Sequence, residues 1–237
     1  IVIFIKKTQF VLLLYDDFSG SCIKGGGHLF TVNGRPTAPL RKPEGFYVFT
    51  GLEGSVFAVE VSGGSYCPER VQVDTRALDP RLPVVELRLL RRRGAAFSDC
   101  EFVEGIHRPG EMVYALRQGG GVKLLSVSDG EEGTAAAFSG YFIRPPVRTR
   151  FFVGTGGRRE VFVTGDCGPD GAYLVPAGFV HPHKPGEPVV RAYAARCDGD
   201  GRFSIPVEPG QGELITQIEY YNKEGKRWVC SSATGPS

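Results

Sequence analysis

Histidines and clustered carboxylates are the residues of this chain whose type and spacing could do chemistry. The four histidines are His28, His107, His181 and His183. In His181-Pro182-His183 two imidazoles stand two residues apart, so on an extended segment they face the same way. Zinc would need one or two further ligands, from His107 or a cysteine. Asp198-Gly199-Asp200-Gly201 sets carboxylates at alternate positions, with Asp166 and Asp170 as further acids, which suits calcium. Each pattern has a plainer reading. Pro182 and Lys184-Pro185-Gly186 describe a stiff exposed loop. A calcium loop needs a bidentate acid near its twelfth position, and Glu208 falls one short of it while Phe203–Val207 reads as strand. A hairpin turn with acidic caps accounts for the same residues.

Catalytic patterns are thin. Asp16-Asp17 with Glu53, Glu60 or Glu104 could be paired as acid and base, but their intervals give that no support. There is no Gly-x-Ser-x-Gly elbow, and Gln118-Gly119-Gly120-Gly121 lacks the Lys-Ser/Thr of a phosphate cradle. The expectation is a protein that is not an enzyme and uses no cofactor. Binding candidates are aromatic: Phe151, Phe152, Tyr220, Tyr221 and Trp228 lie in strand-like segments. Adjacent strand residues point to opposite faces, so one member of each pair is expected to meet a neighbouring unit, a protein partner or carbohydrate.

Glycine and proline punctuation defines the elements that must position these residues. The 237 residues include 33 Gly and 17 Pro between short runs of Val, Ile, Leu, Phe and Tyr, and no run shows a sustained helical stripe. Alternating apolar and polar residues bounded by turn formers read as half-buried β-strands. With 28 Lys and Arg against 26 Asp and Glu, there is no electrostatic case for nucleic acid. The basic run Arg91-Arg92-Arg93 before Gly94 reads as a solvated strand end or linker. Six widely spaced cysteines form no metal knuckle, and either thiols or bridges fit them. The N-terminal IVIFIKKTQFVLLLYDD is split by Lys6 and Lys7 and reads as buried strands, neither a membrane span nor an ordered signal peptide.

Strands are expected at Phe10–Tyr15, up to Val32, Phe46–Thr50, Val56–Val61, Arg70–Asp74 and Val84–Leu90, with a tight turn at Asn33-Gly34. Beyond residue 92 an internal echo appears, offset by about 77 residues. Phe102-Val103, His107, Pro109-Gly110-Glu111 and Tyr114-Ala115 correspond to Phe179-Val180, His183, Pro185-Gly186-Glu187 and Tyr193-Ala194. Either duplication or two uses of a common turn explains it. A second phrase puts an acidic residue or Ser, then Gly, before an aromatic-led strand, at Glu44-Gly45, Ser139-Gly140, Asp170-Gly171 and Asp200-Gly201. The expected division is 1–92, 93–168 and 169–237, the last a repeat of the one before. The expected fold class is all-β, in tandem small β-sandwich domains of Ig-like or transthyretin-like type.

The first unit resembles a carboxypeptidase-regulatory-like domain, a transthyretin-like β-sandwich. The resemblance rests on the turn from Leu14 to Gly20, Gly45-Phe46-Tyr47-Val48-Phe49, Leu52-Glu53-Gly54, the strand Val56–Val61 and Gly64-Ser65-Tyr66. It covers residues 8–90 and is fragmentary beyond, where Asp198–Ile205 echoes the turn and strand. Such domains serve as rigid accessory modules, and the resemblance implies a structural role. The hydrolase branch of the superfamily carries a C-terminal Tyr-Arg-Gly-Ser, and the stretch Ser231–Ser237 lacks it, which counts against that activity. Three functions follow as expectations. The first is a structural or adaptor protein of a larger assembly, such as a phage tail, baseplate or capsid-decoration component, particle-associated and partnered by protein or its own copies. The second is a cell-surface or periplasmic binding module for polysaccharide or protein. The third is an accessory part of a hydrolase.

Overall fold

The computed structural model describes residues 8–117, 122–130, 133–140, 147–155 and 158–209, and the backbone of 216–221 and 227–231. Every regular element among them is a strand. No described helix is long and apolar enough to cross a membrane. The chain forms two compact units, the first Ile1–Asp16 with Ser21–Ala96, the second Asp17–Gly20 with Phe97–Ser237.

The first unit contains eight strands: β1 Thr8–Asp16, β2 Leu29–Val32, β3 Arg35–Thr37, β4 Leu40–Arg41, β5 Phe46–Thr50, β6 Val56–Ser62, β7 Glu69–Asp74 and β8 Val84–Leu89. They make two four-stranded sheets, ordered β4-β5-β1-β8 and β3-β2-β6-β7. Alternate residues from both sheets meet in one core: Phe10, Leu12 and Leu14 of β1, Phe49 of β5, Phe57 and Val59 of β6, Leu87 and Leu89 of β8. Phe10 stacks on Phe49 with ring centroids 4.6 Å apart. This is the period of two that the sequence displays, read out as a sandwich. At Asn33-Gly34 both residues have positive φ, 51° and 76°, and they join β2 to β3 as a tight hairpin.

One departure concerns the basic run. Arg91 is not solvated. Its guanidinium reaches Asp16 with Nη2–Oδ2 at 2.6 Å and Nε–Oδ2 at 3.0 Å, and both side chains are less than a tenth exposed. β8 runs parallel to β1 with Asp16 opposite Leu89, so Arg91, two residues past the strand end, arrives beside the carboxylate. Arg92 and Arg93 remain exposed.

The second unit contains β9 Glu101–Ile106, β10 Met112–Arg117, β11 Lys123–Gly130, β12 Gly133–Ser139, β13 Arg150–Val153, β14 Glu160–Val163, β15 Tyr173–Val175, β16 Val189–Arg196, β17 Arg202–Val207, β18 Thr216–Tyr221 and β19 Arg227–Ser231. A six-stranded sheet, β14-β13-β16-β10-β18-β19, packs against two smaller ones. The β17-β9 pair covers Val113, Ala115, Tyr193 and Ala195. The β11-β12-β15 sheet covers Phe151, Val153 and Val189. Residues 93–168 and 169–237 therefore do not form separate sheets. β10 from the first span pairs with β16 and β18 from the second, so pairing partners cross the boundary expected at 168.

The acidic-Gly-aromatic phrase recurs as one local geometry. Gly45, Gly140, Gly171 and Gly201 all have positive φ, and the Oδ1 of Asp170 accepts the N–H of Ala172, closing its turn.

Candidate functional site

The sequence echo is a repeated loop. In both copies the glycine of Pro-Gly-Glu has positive φ, and the glutamate N–H donates back three residues, Glu111 to Arg108 O and Glu187 to Lys184 O. Both loops then pair with a distant segment in the same way. Gly110 N–H donates to Cys197 O, whose own N–H donates to Glu111 O; Gly186 N–H donates to Leu124 O, whose N–H donates to Glu187 O. The strands that leave the two loops are β10 and β16, and they pair antiparallel with Tyr114 opposite Ala194 and Ala115 opposite Tyr193. The two Tyr-Ala dipeptides of the echo thus lie across from each other at the centre of the sheet.

Each loop sets its histidine on its glutamate four residues on: His107 Nε2 lies 3.0 Å from Glu111 Oε2, and His183 Nδ1 lies 2.6 Å from Glu187 Oε2. His183 also has a second acid. Its Nε2 lies 2.6 Å from Glu160 Oε1, and the imidazole is fully buried. Each ring nitrogen thus faces a carboxylate oxygen, and the ring is held from both sides. Glu160 is itself held by the N–H groups of Val180 and His181. Burial pushes the Glu187 carboxyl up, but the bonds from His183 and the Lys184 N–H, with the charges of His183 and Arg158, outweigh it and hold it below the ordinary range. The trio is a brace that fastens the loop after β15 to β14.

Both nitrogens of His183 are engaged, so it presents no lone pair to a metal, and His181 is exposed beside it. The two imidazoles do not converge. Asp198 caps a turn, its Oδ1 accepting the N–H groups of Asp200 and Arg202. Among the described residues no group of three His, Cys, Asp or Glu side chains is placed to hold an ion. Asp17 pairs with Arg150, Oδ1 to Nη2 at 2.7 Å, within the second unit. Cys197 is a core thiol, pushed up to about 11 by burial and then by Glu111 and Asp198.

Phe151 and Phe152 point to opposite faces of β13, as alternation requires, and both faces are covered. They are 3% and 1% exposed, so each ring belongs to a core of the unit itself. Tyr220 and Trp228 are cross-strand partners in β18 and β19. The side chains of Tyr220, Tyr221 and Trp228 lie outside the described residues.

Sequence reasoning passed over a feature shaped to hold a ligand. In the first unit a cleft of roughly 620 Å³ is lined by Gly26, Gly27, His28, Phe30, Pro36, Pro39, Arg41 and Tyr47 among others. It opens where the two sheets end in their short edge strands, β3 and β4. Phe30 and Tyr47 form its floor, with ring centroids 4.7 Å apart, and the Tyr47 hydroxyl donates to Gly25 O at 3.1 Å. His28 sits between Tyr47 and Tyr66. Burial first, and the Arg41 charge second, hold His28 below its ordinary value, so its ring is neutral at pH 7. Its Nδ1 is buried without a hydrogen-bond partner. One large apolar side chain stands out among the lining residues: Leu29 is 69% exposed. The signal in the sequence was Gly25-Gly26-Gly27 next to a histidine, a stretch with no periodicity to mark it. Compared with known proteins, the chain matches no family model, no curated protein and no solved structure.

Proposed function

We propose that this chain is a non-enzymatic adaptor or structural component of a larger protein assembly, and that its first unit, a carboxypeptidase-regulatory-like sandwich, engages its partner through the cleft between β3 and β4. The observation that carries this reading is the cleft with its exposed Leu29. A concave, mostly apolar site with a few polar groups is where ligands and partner side chains dock. A large exposed apolar side chain there is what a partner would cover. The ionisable groups that could have done chemistry support the same reading. Asp16, Asp17, Glu160, Glu187 and His183 brace strands and loops against each other.

The test is the native mass of the protein purified from its own source, beside the variant Leu29→Asp. A complex larger than one chain is expected for the wild type, and its loss in the variant with an unchanged circular dichroism spectrum. A wild-type protein that elutes strictly as a monomer would overturn the reading.

A further inference from the structure

We propose that the cleft holds an extended acidic segment of the partner, with a carboxylate on Arg41 and a neighbouring apolar side chain against Phe30, Pro36 and Pro39. The inference rests on the binding reading of this cleft and adds the chemistry of its occupant.

Charge is the first argument. Arg41 is the one full charge among the lining residues, and no lining residue is acidic. Lys24 and Lys42 add to the same sign nearby in the chain. The guanidinium is fixed in place: Nη2 donates to Lys24 O at 2.5 Å, and Nη1 stands 3.1 Å from where a Cβ on Gly26 would be. Among the described residues Arg41 has no carboxylate partner, so its remaining donors are left for a ligand. A planar fork of this kind is suited to a carboxylate. His28, neutral and with Nδ1 buried and unpaired, adds a polar group without adding a competing cation.

The glycine run is the second argument. Gly25, Gly26 and Gly27 are exposed, and their N–H groups donate no hydrogen bond among the described residues. A Cβ at Gly25 or Gly27 would meet nothing within 4 Å, so the backbone is open to close approach beside the guanidinium. Successive free amides next to a fixed cation are a favourable setting for an oxyanion.

The edges are the third argument, and they favour a peptide over a free small acid. Among the described residues β3 pairs with β2 alone and β4 with β5 alone, so backbone unpaired by any described strand runs along both lips of the cleft. An extended segment can bond to such an edge while its side chains fill the hollow. Pro36 and Pro39 remove donors from this edge, which blunts pairing between copies of the chain and leaves mainly acceptor carbonyls for the partner's N–H groups. The volume, roughly 620 Å³, lies inside the range of about 300–1,000 Å³ typical of ligand pockets, room enough for a few side chains.

The experiment titrates the full chain with two peptides that differ in one atom pair, acetyl-Leu-Phe-Asp-Val-amide and acetyl-Leu-Phe-Asn-Val-amide, followed by amide resonances. The Asp peptide is expected to shift Gly25–Gly27, His28 and Thr37 and to bind about tenfold more tightly than the Asn peptide. Arg41→Gln should bring the two peptides together, while Arg202→Gln, in the second unit, should leave the difference intact. Because the Asp/Asn comparison is made on the wild-type protein, the result does not depend on the variant folding. Equal binding of the two peptides would overturn carboxylate recognition and leave the cleft as a binding face. Binding of 2-naphthoate as tight as that of the Asp peptide would overturn the peptide and assign a free small acid instead. No binding of either peptide, in a protein whose native complex still depends on Leu29, would overturn the proposal alone.

Discussion

Replacing Arg91 with alanine is expected to destabilise the first unit by about 3–5 kcal/mol, the loss typical of removing one partner from a buried ion pair. The Asp16 carboxylate would be left less than a tenth exposed, without the guanidinium that now bonds it through Nε and Nη2. The adjacent residue supplies the control. Arg92 is exposed, and its Nη2 donates only to Gly64 O at 2.7 Å, so Arg92→Ala should change stability by no more than about 1 kcal/mol. The two arginines are neighbours in sequence and differ in what they touch. Urea unfolding measures the difference, and hydrogen exchange over Thr8–Asp16 and Val84–Leu89 locates it, since these are the parallel strands the pair joins. Equal effects of the two substitutions would mean that the pair contributes nothing beyond a surface contact.

The second large effect belongs to His183. His183→Gln can keep one of the two carboxylate contacts through its amide N–H₂ and loses the other, leaving Glu160 and Glu187 held only from their own loops. A loss of about 3 kcal/mol or more is expected, concentrated in the loop from Pro176 to Pro188. The brace also sets a pH dependence. Glu187 is held below its ordinary value of 4.5, so between that value and its lower folded one the unfolded chain binds more protons than the folded chain. The stability that Glu187 contributes is thus complete above pH 4.5 and is lost as the pH falls through its folded value. Glu187→Gln should flatten this acid limb. Exchange of the Val180 and His181 amides, which donate to Glu160, reads the loop directly. A wild-type acid limb no steeper than that of Glu187→Gln would contradict the assignment.

Local features of the fold were legible in the sequence where they depend on local chemistry. Strand alternation located β1, β5, β6, β7 and β8 to within about two residues, and Asn33-Gly34 named its own turn. The Pro-Gly-Glu echo announced two loops that share a hydrogen-bond pattern. Long-range pairing was not legible. Nothing in the alternation of Val84–Leu89 says that it runs parallel to Thr8–Asp16, and so nothing placed Arg91 on Asp16. The repeat suggested two units side by side, whereas β10 and β16 exchange hydrogen bonds across the expected boundary, because two apolar strands satisfy each other as well as they satisfy neighbours in sequence. Glu160 sits 23 residues from His183, and no spacing rule links them. The cleft escaped for a related reason. Its walls come from the glycine run, the β3–β4 connection and β5, segments without a shared period.

Photo-cross-linking tests the central claim most directly. A benzoyl-phenylalanine placed at position 29 is exposed, at the start of β2, and lines the cleft. One at position 82, also exposed, precedes β8, an edge strand of the other sheet. In the native complex, irradiation should give a covalent adduct with the partner from position 29 and none from position 82. Adducts from position 82 with none from position 29 would place the partner elsewhere and contradict the account.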